Sequence, residues 1–456
     1  MKDRFGFDWS GTAGTQFWRR PQLGRRMFFR HAASAVGGYF LLPTLATEKV
    51  ASAAVTPRGT AKNCIFVLML GGPSQIDTFD LKEGAWTPAD LAPTSIGEIR
   101  WPRGLMPKLA DQMDSLALLR SVRSWAAVHG LAQAWVQIGR NPIAASSRIA
   151  PHIGSVASIE LGGRHPNPVL PAFVSLNVGS GIGPGFLPPD NAPFFITPNG
   201  SGLGNTTHRD GAERFDRRYG LLLEMDRELR ETPELGAAPL QTASYNLAAR
   251  RLIYNSEVDR VFLFDQNERS RYGSSGFGNA CIAARNMLRA NIGVRFIQIT
   301  QGNWDQHENI YTPNAGHLLL GRQFDSGLGT LIADLKNDGL LEETLIVAMG
   351  EFGRTTGALN ALRGRDHLLQ QAALVAGARV RGARVIGSTN QAGSATLEPG
   401  WSRNRDIRAE DIEATIYSAL GIDWTTIRRD DPLGRGFEYV PFADRDQYGP
   451  VDELWA

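Results

Sequence analysis

The feature that most constrains the fold is a set of short apolar runs, each bounded by turn residues or by a helical segment. The first run, residues 63–70, reads NCIFVLML and stops at Gly71-Gly72-Pro73. Similar runs cover residues 169–176, 293–300 and 344–349, and a weaker one covers 372–376. An unbroken apolar run of this length predicts a strand that is buried on both of its faces.

Helical patterns separate these runs. Residues 213–230 are amphipathic and charged, residues 279–290 show apolar spacing near 3.6, and residues 324–337 lead into the run at 344. Buried strands that alternate with helices predict an α/β fold, with a largely parallel sheet covered by helices on both faces. Two long irregular stretches, 179–205 and 387–405, are rich in Gly, Pro, Ser and Asn, and loops of such length are either functional or disordered.

The N-terminus has the three ordered features of an export signal. Arg25-Arg26 is followed by Phe28, then by an apolar stretch at residues 32–43, then by Ala51-Ser52-Ala53. The apolar stretch is shorter than the roughly 20 residues that cross a bilayer, and no later segment qualifies. We therefore predict a twin-arginine signal peptide at residues 1–53, one domain at 54–456 without a transmembrane span, and a periplasmic or extracellular location. The alternative is a disordered basic tail with a chance apolar run.

The charge of the chain argues against nucleic acid as a partner. The chain has a formal net charge of +2. Residues 1–53 carry eight basic and three acidic side chains, so the remaining residues are weakly acidic, at about −3. Such a domain lacks the basic field of a nucleic-acid binder. Cys64 and Cys281 lie in apolar patterns and are interpreted as buried free thiols, with a disulfide between them as the alternative.

Polar residues that could carry chemistry follow the predicted strands. In open parallel sheets, ligands bind beyond the carboxyl ends of the strands. Three segments come directly after predicted strands, namely GGPSQIDTFD with Ser74 and Asp77, QGNWDQHEN with Asp305 and His307, and GEFGRT with Glu351 and Arg354. A fourth segment, GRDHL with Asp366 and His367, lies just before the fifth predicted strand. Carboxylates and imidazoles that converge from separate strands would repel one another without a cation, and zinc or manganese accepts such a mixed set of ligands.

Two further roles follow from the same segments. Ser74, placed where a strand turns into a helix, could be activated as a nucleophile near a cation. Arg354 could hold an anionic substrate through its planar guanidinium group.

Each of these groups also has a purely structural interpretation. Ser74 or Asp77 could cap a helix, and Glu351 and Arg354 could form a salt bridge. Asp366 and His367 could be a satisfied buried pair. His129, which precedes a predicted helix, could reach the site, although a structural role is the simpler interpretation. The glycine-rich stretch 179–185 leads into Phe186-Leu187-Pro188-Pro189, where no helix can start, so we interpret it as a flexible loop and not as a dinucleotide-binding turn.

Taken together, the segments GGPSQIDTFD, RYGSSGFGNACIAARNMLRANIGVRFIQITQGNWDQHEN, MGEFGRT and GRDHL resemble those of the exported bacterial proteins grouped as domain of unknown function 1501. That family is placed in the alkaline phosphatase-like and sulfatase-like superfamily. The resemblance implies a three-layer α/β/α sandwich with a mostly parallel central sheet. It also implies a two-metal site in which Asp305 and His307 form one ligand pair, Glu351 is a second-metal carboxylate and His367 is the last histidine ligand. On this pattern Ser74 is the candidate nucleophile and Asp77 an early carboxylate.

The sequence therefore leads to two functional hypotheses. The first is an exported metal-dependent hydrolase, with zinc as the candidate cofactor, acting on a small anionic phosphate or sulfate ester. The Cys-x-Pro-x-Arg signature of sulfatases is absent from the sequence, which argues against conventional sulfatase activity. The second hypothesis is a non-catalytic protein that binds a partner or a cell-envelope polymer on the same scaffold.

Overall fold

The computed structural model describes residues 55–232 and 238–456, and Thr56–Ala456 form one compact unit. The predicted signal peptide at residues 1–53 lies outside the described residues and stays a prediction. Among the described helices, none is both long enough and apolar enough to span a lipid bilayer.

The centre of the unit is an eight-stranded sheet. Its strands are β1 (Asn63–Met69), β4 (Leu116–Arg123), β5 (Phe173–Leu176), β6 (Phe194–Ile196), β7 (Phe296–Gln301), β8 (Thr344–Met349), β11 (Gln370–Gly377) and β12 (Arg384–Ile386). They lie in the order β12-β4-β11-β8-β1-β7-β5-β6 across the sheet. Short two-stranded ladders pair β2 (Pro93–Ile96) with β3 (Ile99–Pro102), β9 (Gly353–Arg354) with β10 (His367–Leu368), β13 (Ser388–Thr389) with β14 (Thr396–Glu398), and β15 (Ile427–Arg428) with β16 (Phe437–Glu438).

The direction of the strands decides which loops meet. β1 pairs in parallel with both β7 and β8, and β5 continues the parallel arrangement beyond β7. β11 runs antiparallel to β8 on one side and to β4 on the other. The amino end of β11 consequently lies at the same edge as the carboxyl ends of β1, β7 and β8, and this brings the segment before β11 to the edge where ligands bind in such sheets.

Helices cover both faces of this sheet. The helices of the described residues are α1 (Pro107–Ala110), α2 (His129–Ile138), α3 (Ile153–Leu161), α4 (Ala212–Met225), α5 (Arg227–Glu231), α6 (Ala238–Leu252), α7 (Ser256–Phe262), α8 (Gln266–Arg271), α9 (Gly276–Ala290), α10 (Gly316–Phe324), α11 (Thr330–Asn337) and α12 (Ala409–Leu420). Of these, α4 and α5 bury no residue. A π-helical segment, Asp325–Gly329, joins α10 to α11.

Strand β1 shows why two layers of helices are needed, because all seven of its residues are buried. Ile65, Val67 and Met69 point into one core cluster, which they share with α9, α10 and α11. The alternate residues face the second layer, where α3 and α12 pack against the strands. In that layer Gly154 of α3 lies so close to the rings of Phe173 and Phe296 that a Cβ would approach them to 2.8 and 2.6 Å.

The predicted fold class, a three-layer α/β sandwich with a mostly parallel sheet, is confirmed. The predicted runs at 63–70, 344–349 and 372–376 coincide with β1, β8 and β11, whereas β5 begins only at Phe173 and the predicted helix 213–230 is divided at Asp226. Strand β4 was not predicted, because Arg120 interrupts its apolar pattern. Cys64 and Cys281 are buried free thiols, as the sequence indicated.

Candidate metal centre

Four side chains with metal-binding atoms meet at the edge of the sheet where β1, β7 and β8 end. They are His129, Asp305, His307 and His367, and each offers one ligand atom within 4.8 Å of the others. Asp305 and His307 follow β7, and His367 lies in β10, which pairs with β9 just beyond β8. His129 is the first residue of α2. We call these four residues the histidine cluster.

The second ring nitrogen of each imidazole in the histidine cluster is held by an acceptor. His129 Nδ1 lies 2.7 Å from Glu351 Oε1, and His307 Nδ1 lies 2.8 Å from Asp366 Oδ1. His367 Nδ1 lies 2.8 Å from the carbonyl oxygen of Ala127. Carboxylate and carbonyl oxygens only accept hydrogen bonds, so each Nδ1 is the donor and each neutral ring presents Nε2 as a lone pair.

These Nε2 lone pairs point towards one another and towards Asp305. His307 Nε2 lies 3.0 Å from His367 Nε2 and 3.0 Å from Asp305 Oδ1. His129 Nε2 lies 3.1 Å from Asp305 Oδ2, yet it is buried and makes no hydrogen bond. Acceptors at such distances repel one another, and a cation between them would convert the repulsion into coordination. Three imidazoles held through Nδ1 and one carboxylate form a set of ligands that suits a divalent metal such as zinc.

Arg354 fixes the carboxylate of Asp305. Burial of Asp305 opposes its ionisation, but the hydrogen bond and charge of Arg354 lower its pKa to about 2. The guanidinium group is fully buried and also donates to the carbonyl oxygens of Gly71, Gly72 and Arg365. Arg354 thus ties three loops together. It pairs with Asp305, whereas the alternative interpretation of the sequence had paired it with Glu351.

Gly71 and Gly72 permit the close approach of these loops. A Cβ at Gly71, where φ is +112°, would lie 2.5 Å from the backbone nitrogen of Asp305. A Cβ at Gly72, where φ is +76°, would lie 2.8 Å from the ring of Phe352. That ring packs against the imidazoles of His129 and His367, with centroid distances of 4.9 and 4.4 Å. Any side chain at either glycine would therefore displace a wall of the histidine cluster.

The structure places the other predicted residues around the histidine cluster and not within it. Glu351 is buried and receives hydrogen bonds from His129, from Gln133 Nε2 at 3.2 Å and from the backbone N–H of Gly71 at 2.9 Å. Asp366 is exposed and supports His307, whose hydrogen bond holds the pKa of Asp366 below its usual value. Asp366 and His367 therefore do not form the pair with each other that the alternative interpretation suggested.

Ser74 and Asp77 lie in the turn after β1 and are both buried. Asp77 is engaged by Arg365 at 3.2 Å and by the hydroxyl of Tyr311 at 2.7 Å, which is a complete structural role. Ser74 Oγ makes no hydrogen bond, and Ser74 does not cap the short helical turn that follows it. Its hydroxyl is therefore a buried polar group whose hydrogen-bonding capacity is unused.

Sequence reasoning placed Asp305, His307 and His367 at this edge but preferred a structural role for His129. The signal that could have singled out His129 is its position at the start of a helix, directly after the irregular segment 124–128. Nothing in the sequence indicates that Ala127 and Glu351, the acceptors for His367 and His129, come from opposite sides of the cluster.

The family model described as "Protein of unknown function (DUF1501)" matches residues 61–440 of the chain. A comparison with curated proteins finds no match. Similar solved structures include a protein of the alkaline phosphatase superfamily from Vibrio parahaemolyticus, which is 11% identical, with 81% of this chain and 69% of that chain covered and a TM-score of 0.38. They also include the PsFucS1 sulfatase from Pseudoalteromonas sp., with 13% identity, 88% and 72% coverage and a TM-score of 0.39. A phosphonate monoester hydrolase from Silicibacter pomeroyi is 11% identical, with 86% and 76% coverage and a TM-score of 0.37.

Proposed function

The chain belongs to the DUF1501 family, and from that premise we propose that it is a metal-dependent hydrolase of phosphate or sulfate esters. The match confirms the family resemblance of the sequence motifs. The observation that carries the proposal is the histidine cluster, in which three Nε2 lone pairs and the Asp305 carboxylate converge. Zinc is the metal we propose, because it favours three or four N and O ligands at such sites.

The residues around the cluster would prepare it for a metal. Glu351 and Asp366 orient His129 and His307 through Nδ1, which fixes the tautomers that leave Nε2 free. Arg354 keeps Asp305 ionised and in place. A divalent cation held there would supply Lewis-acid polarisation of the ester. This assignment makes His129 a ligand. Glu351 and Asp366 are not ligands but orient His129 and His307, and Asp77 has no part in binding the metal.

Ser74 is the nucleophile that we propose. It lies two residues beyond Gly72, in the same turn whose carbonyl groups bind Arg354. A buried hydroxyl without a hydrogen bond costs roughly 1–3 kcal/mol. A hydroxyl that serves an incoming ligand accounts for it.

The metal content of the purified full-length chain tests the proposal. We expect about one zinc ion per chain and hydrolysis of aryl phosphate or aryl sulfate esters, and we expect His307→Ala to lose both. His208→Ala is the matched control, because His208 lies in a loop outside the cluster. A wild-type chain that holds no divalent metal after incubation with zinc would refute the proposal.

A non-catalytic binding role on the same scaffold is the second candidate. It is favoured by the position of Arg354, which the sequence suggested as the residue that holds an anionic substrate. Its buried guanidinium group already donates to backbone carbonyl groups and to Asp305, so it is not free to bind a substrate. The two candidates separate in one measurement. Stoichiometric zinc without turnover of any phosphate or sulfate ester supports binding, and turnover that disappears in His307→Ala supports hydrolysis.

We further propose export by the twin-arginine route to the periplasm or beyond, on the strength of Arg25-Arg26 and the segment that follows. Replacement of both arginines by lysine should keep the protein in the cytoplasm, whereas Arg4→Lys should not. Fractionation of cells that express each variant measures this. Export of the double variant at the wild-type rate would contradict the proposal.

A further inference from the structure

A cavity of about 330 Å³ lies at the same edge of the sheet as the histidine cluster. Its walls come from the ends of β1, β5 and β7, from α2 and from residues 178–182 of the glycine-rich loop. Gly130, the neighbour of His129, belongs to its lining. Gln133 also lines it and donates to Glu351, which in turn holds His129. The cavity and the histidine cluster are therefore neighbours that share helix α2.

The chemistry of the cavity walls is polar but uncharged. Among the described residues that line it, none is an Asp, Glu, Lys or Arg. The polar side chains are Gln133, Gln137, His152, Ser175, Ser180, Gln298 and Thr300. His152 is also uncharged, because burial lowers its pKa to about 3 against the opposing effect of its hydrogen bond to Gln298. An ion in this cavity would lose its hydration without gaining a counter-charge from the protein.

The polar groups are fixed in direction by a chain of hydrogen bonds. The backbone N–H of Gly154 donates to His152 Nδ1, so His152 Nε2 carries the hydrogen and donates to Gln298 Oε1 at 2.7 Å. The amide group of Gln298 consequently points its Nε2 towards Gln137 Oε1 and Thr300 Oγ1, each at 3.3 Å. The site presents a fixed set of donors and acceptors, which is what hydroxyl groups require because each of them both donates and accepts.

The remaining wall is apolar. Phe173, Phe195 and Ile182 line it. Gly181 leaves the ring of Phe195 accessible, because a Cβ at this position would touch the ring at 3.6 Å and cover part of it. Amides and hydroxyls on one side and apolar surface on the other match a ring that carries hydroxyl groups at its rim and C–H bonds on its faces.

We infer that this cavity binds a neutral, hydroxyl-rich group, a sugar or cyclic polyol, which is the alcohol part of the ester presented to the histidine cluster. The inference rests on the proposed ester hydrolysis and names its substrate class. The anionic part of the ester lies at the cluster, and the cavity selects the uncharged part.

Binding of neutral glycosides to the zinc-loaded full-length chain, measured by calorimetry, tests the inference. The probes are methyl glucoside, methyl galactoside, methyl fucoside and myo-inositol, with methyl glucuronide as the charged counterpart of methyl glucoside. At least one neutral probe should bind, and methyl glucuronide should bind at least tenfold more weakly than methyl glucoside if glucoside is the ring selected. Gln137→Leu should weaken the neutral probe about tenfold, because it removes hydrogen-bonding groups from a half-buried position.

Gln266→Leu is the control, since Gln266 is exposed on α8 and should leave binding unchanged. Zinc content and circular dichroism report whether Gln137→Leu is folded, and Gln137→Glu provides a second variant, which should also reject the neutral probe. Failure of every neutral probe to bind, or equal binding in wild type and both Gln137 variants, would overturn the inference. If the wild-type chain takes up no zinc when incubated with the metal but still binds a glycoside, the proposed hydrolysis is refuted and the cavity assignment stands.

Discussion

Helix α2 joins two polar clusters of opposite character. Its first residue, His129, belongs to the histidine cluster, and the residues just beyond its last turn, Gly139 and Arg140, pack against Glu413 of α12. The histidine cluster opens to solvent, since the side chain of Asp305 is 42% exposed. The second cluster consists of Arg140, Glu410, Glu413 and Tyr417, and we call it the closed cluster because Glu413 is only 3% exposed.

The carboxylates of the closed cluster are served by donors of the protein itself. Glu410 accepts from the indole N–H groups of Trp125 and Trp135, at 3.0 and 2.9 Å. Glu413 Oε1 accepts from the hydroxyl of Tyr417 at 2.8 Å, whereas its Oε2 is buried without a hydrogen bond. Burial raises the pKa of Glu413 to about 8 despite the nearby charge of Arg140, so this group is largely protonated at neutral pH.

The comparison shows two physical solutions for converging acceptors. In the closed cluster a proton and internal donors remove the repulsion, so no ligand is needed. In the histidine cluster each Nδ1–H is directed outward to Glu351, Asp366 or Ala127, Arg354 is the donor for Asp305, and His129 Nε2 is left without a partner. A cluster of ionisable residues thus indicates a ligand site when a lone pair inside it lacks a donor and solvent can reach the cluster.

The largest expected effect separates Ser74 from Ser155, two serines whose buried hydroxyls lack hydrogen bonds. Ser74→Ala should lower kcat for ester hydrolysis at least about a thousandfold, because it removes the proposed nucleophile. The free energy of unfolding should stay the same or rise by up to about 1 kcal/mol, since an unsatisfied hydroxyl is lost. Ester turnover and chemical denaturation measure the two quantities.

Ser155→Ala is the matched control, because Ser155 Oγ on α3 is also buried without a partner but lies outside the cluster. It should give the same change in stability with unchanged kcat. Wild-type turnover in Ser74→Ala would remove Ser74 from the mechanism.

The closed cluster should respond to a single added methyl group. At Gly139 φ is +57°, and a Cβ would lie 1.6 Å from Glu413 Oε2. Gly139→Ala should lower the free energy of unfolding by about 3 kcal/mol, because overpacking adds to the cost of the left-handed backbone.

Gly97→Ala isolates the backbone part of that cost. Gly97 has the same φ of +57° but no atom within 4 Å of the added Cβ, so we expect a loss of about 1 kcal/mol. Denaturant titrations of the two variants compare them directly, and equal losses would show that the Glu413 contact is not rigid.

The support of His129 by Glu351 gives a smaller effect. Glu351→Gln should weaken zinc binding about thirtyfold, since outer partners of metal ligands typically change affinity by roughly 10–100-fold. Competition with a zinc chelator measures the affinity. Glu410→Gln, in the closed cluster at the other end of the same helix, should leave the affinity unchanged, and an equal loss in both variants would mean that α2 transmits any local damage to the site.

The smallest effect concerns pH. The pKa of Glu413 is about 8 in the folded chain and 4.5 in its ordinary state, so the folded chain holds this proton more tightly. The contribution to stability is fully present below pH 4.5 and is lost as the pH rises towards 8. Between these limits the wild type should lose unfolding free energy relative to Glu413→Gln, because the folded chain must give up a proton that it holds more tightly than the unfolded chain does. Denaturation of both chains at several pH values checks this, and parallel curves would show that Glu413 is ionised throughout.

Much of the fold followed from local pattern. The buried strands, the helices between them and the parallel arrangement were predictable because two-faced burial and helical spacing are properties of short segments. Asp305 and His307 were placed at one edge for the same reason, since the chain position after a strand fixes the edge of a parallel sheet. His367 reaches the same edge because β11, which it precedes, runs antiparallel to β8. Strand β4 escaped prediction because Arg120, which binds the carbonyl of Phe79 and pairs with Asp80, looks like a surface residue in the sequence.

The sequence by itself determined the kinds of residue that reach the sheet edge and the layers that bury the strands. Only the tertiary structure decided that His129 joins them, that Arg354 holds Asp305 and the backbone, and that Glu351 and Asp366 accept from imidazoles. The physical reason is that a ligand set depends on where each ring nitrogen finds its acceptor. Those acceptors lie 59 to 240 residues away from their histidines along the chain and meet them only when the layers pack.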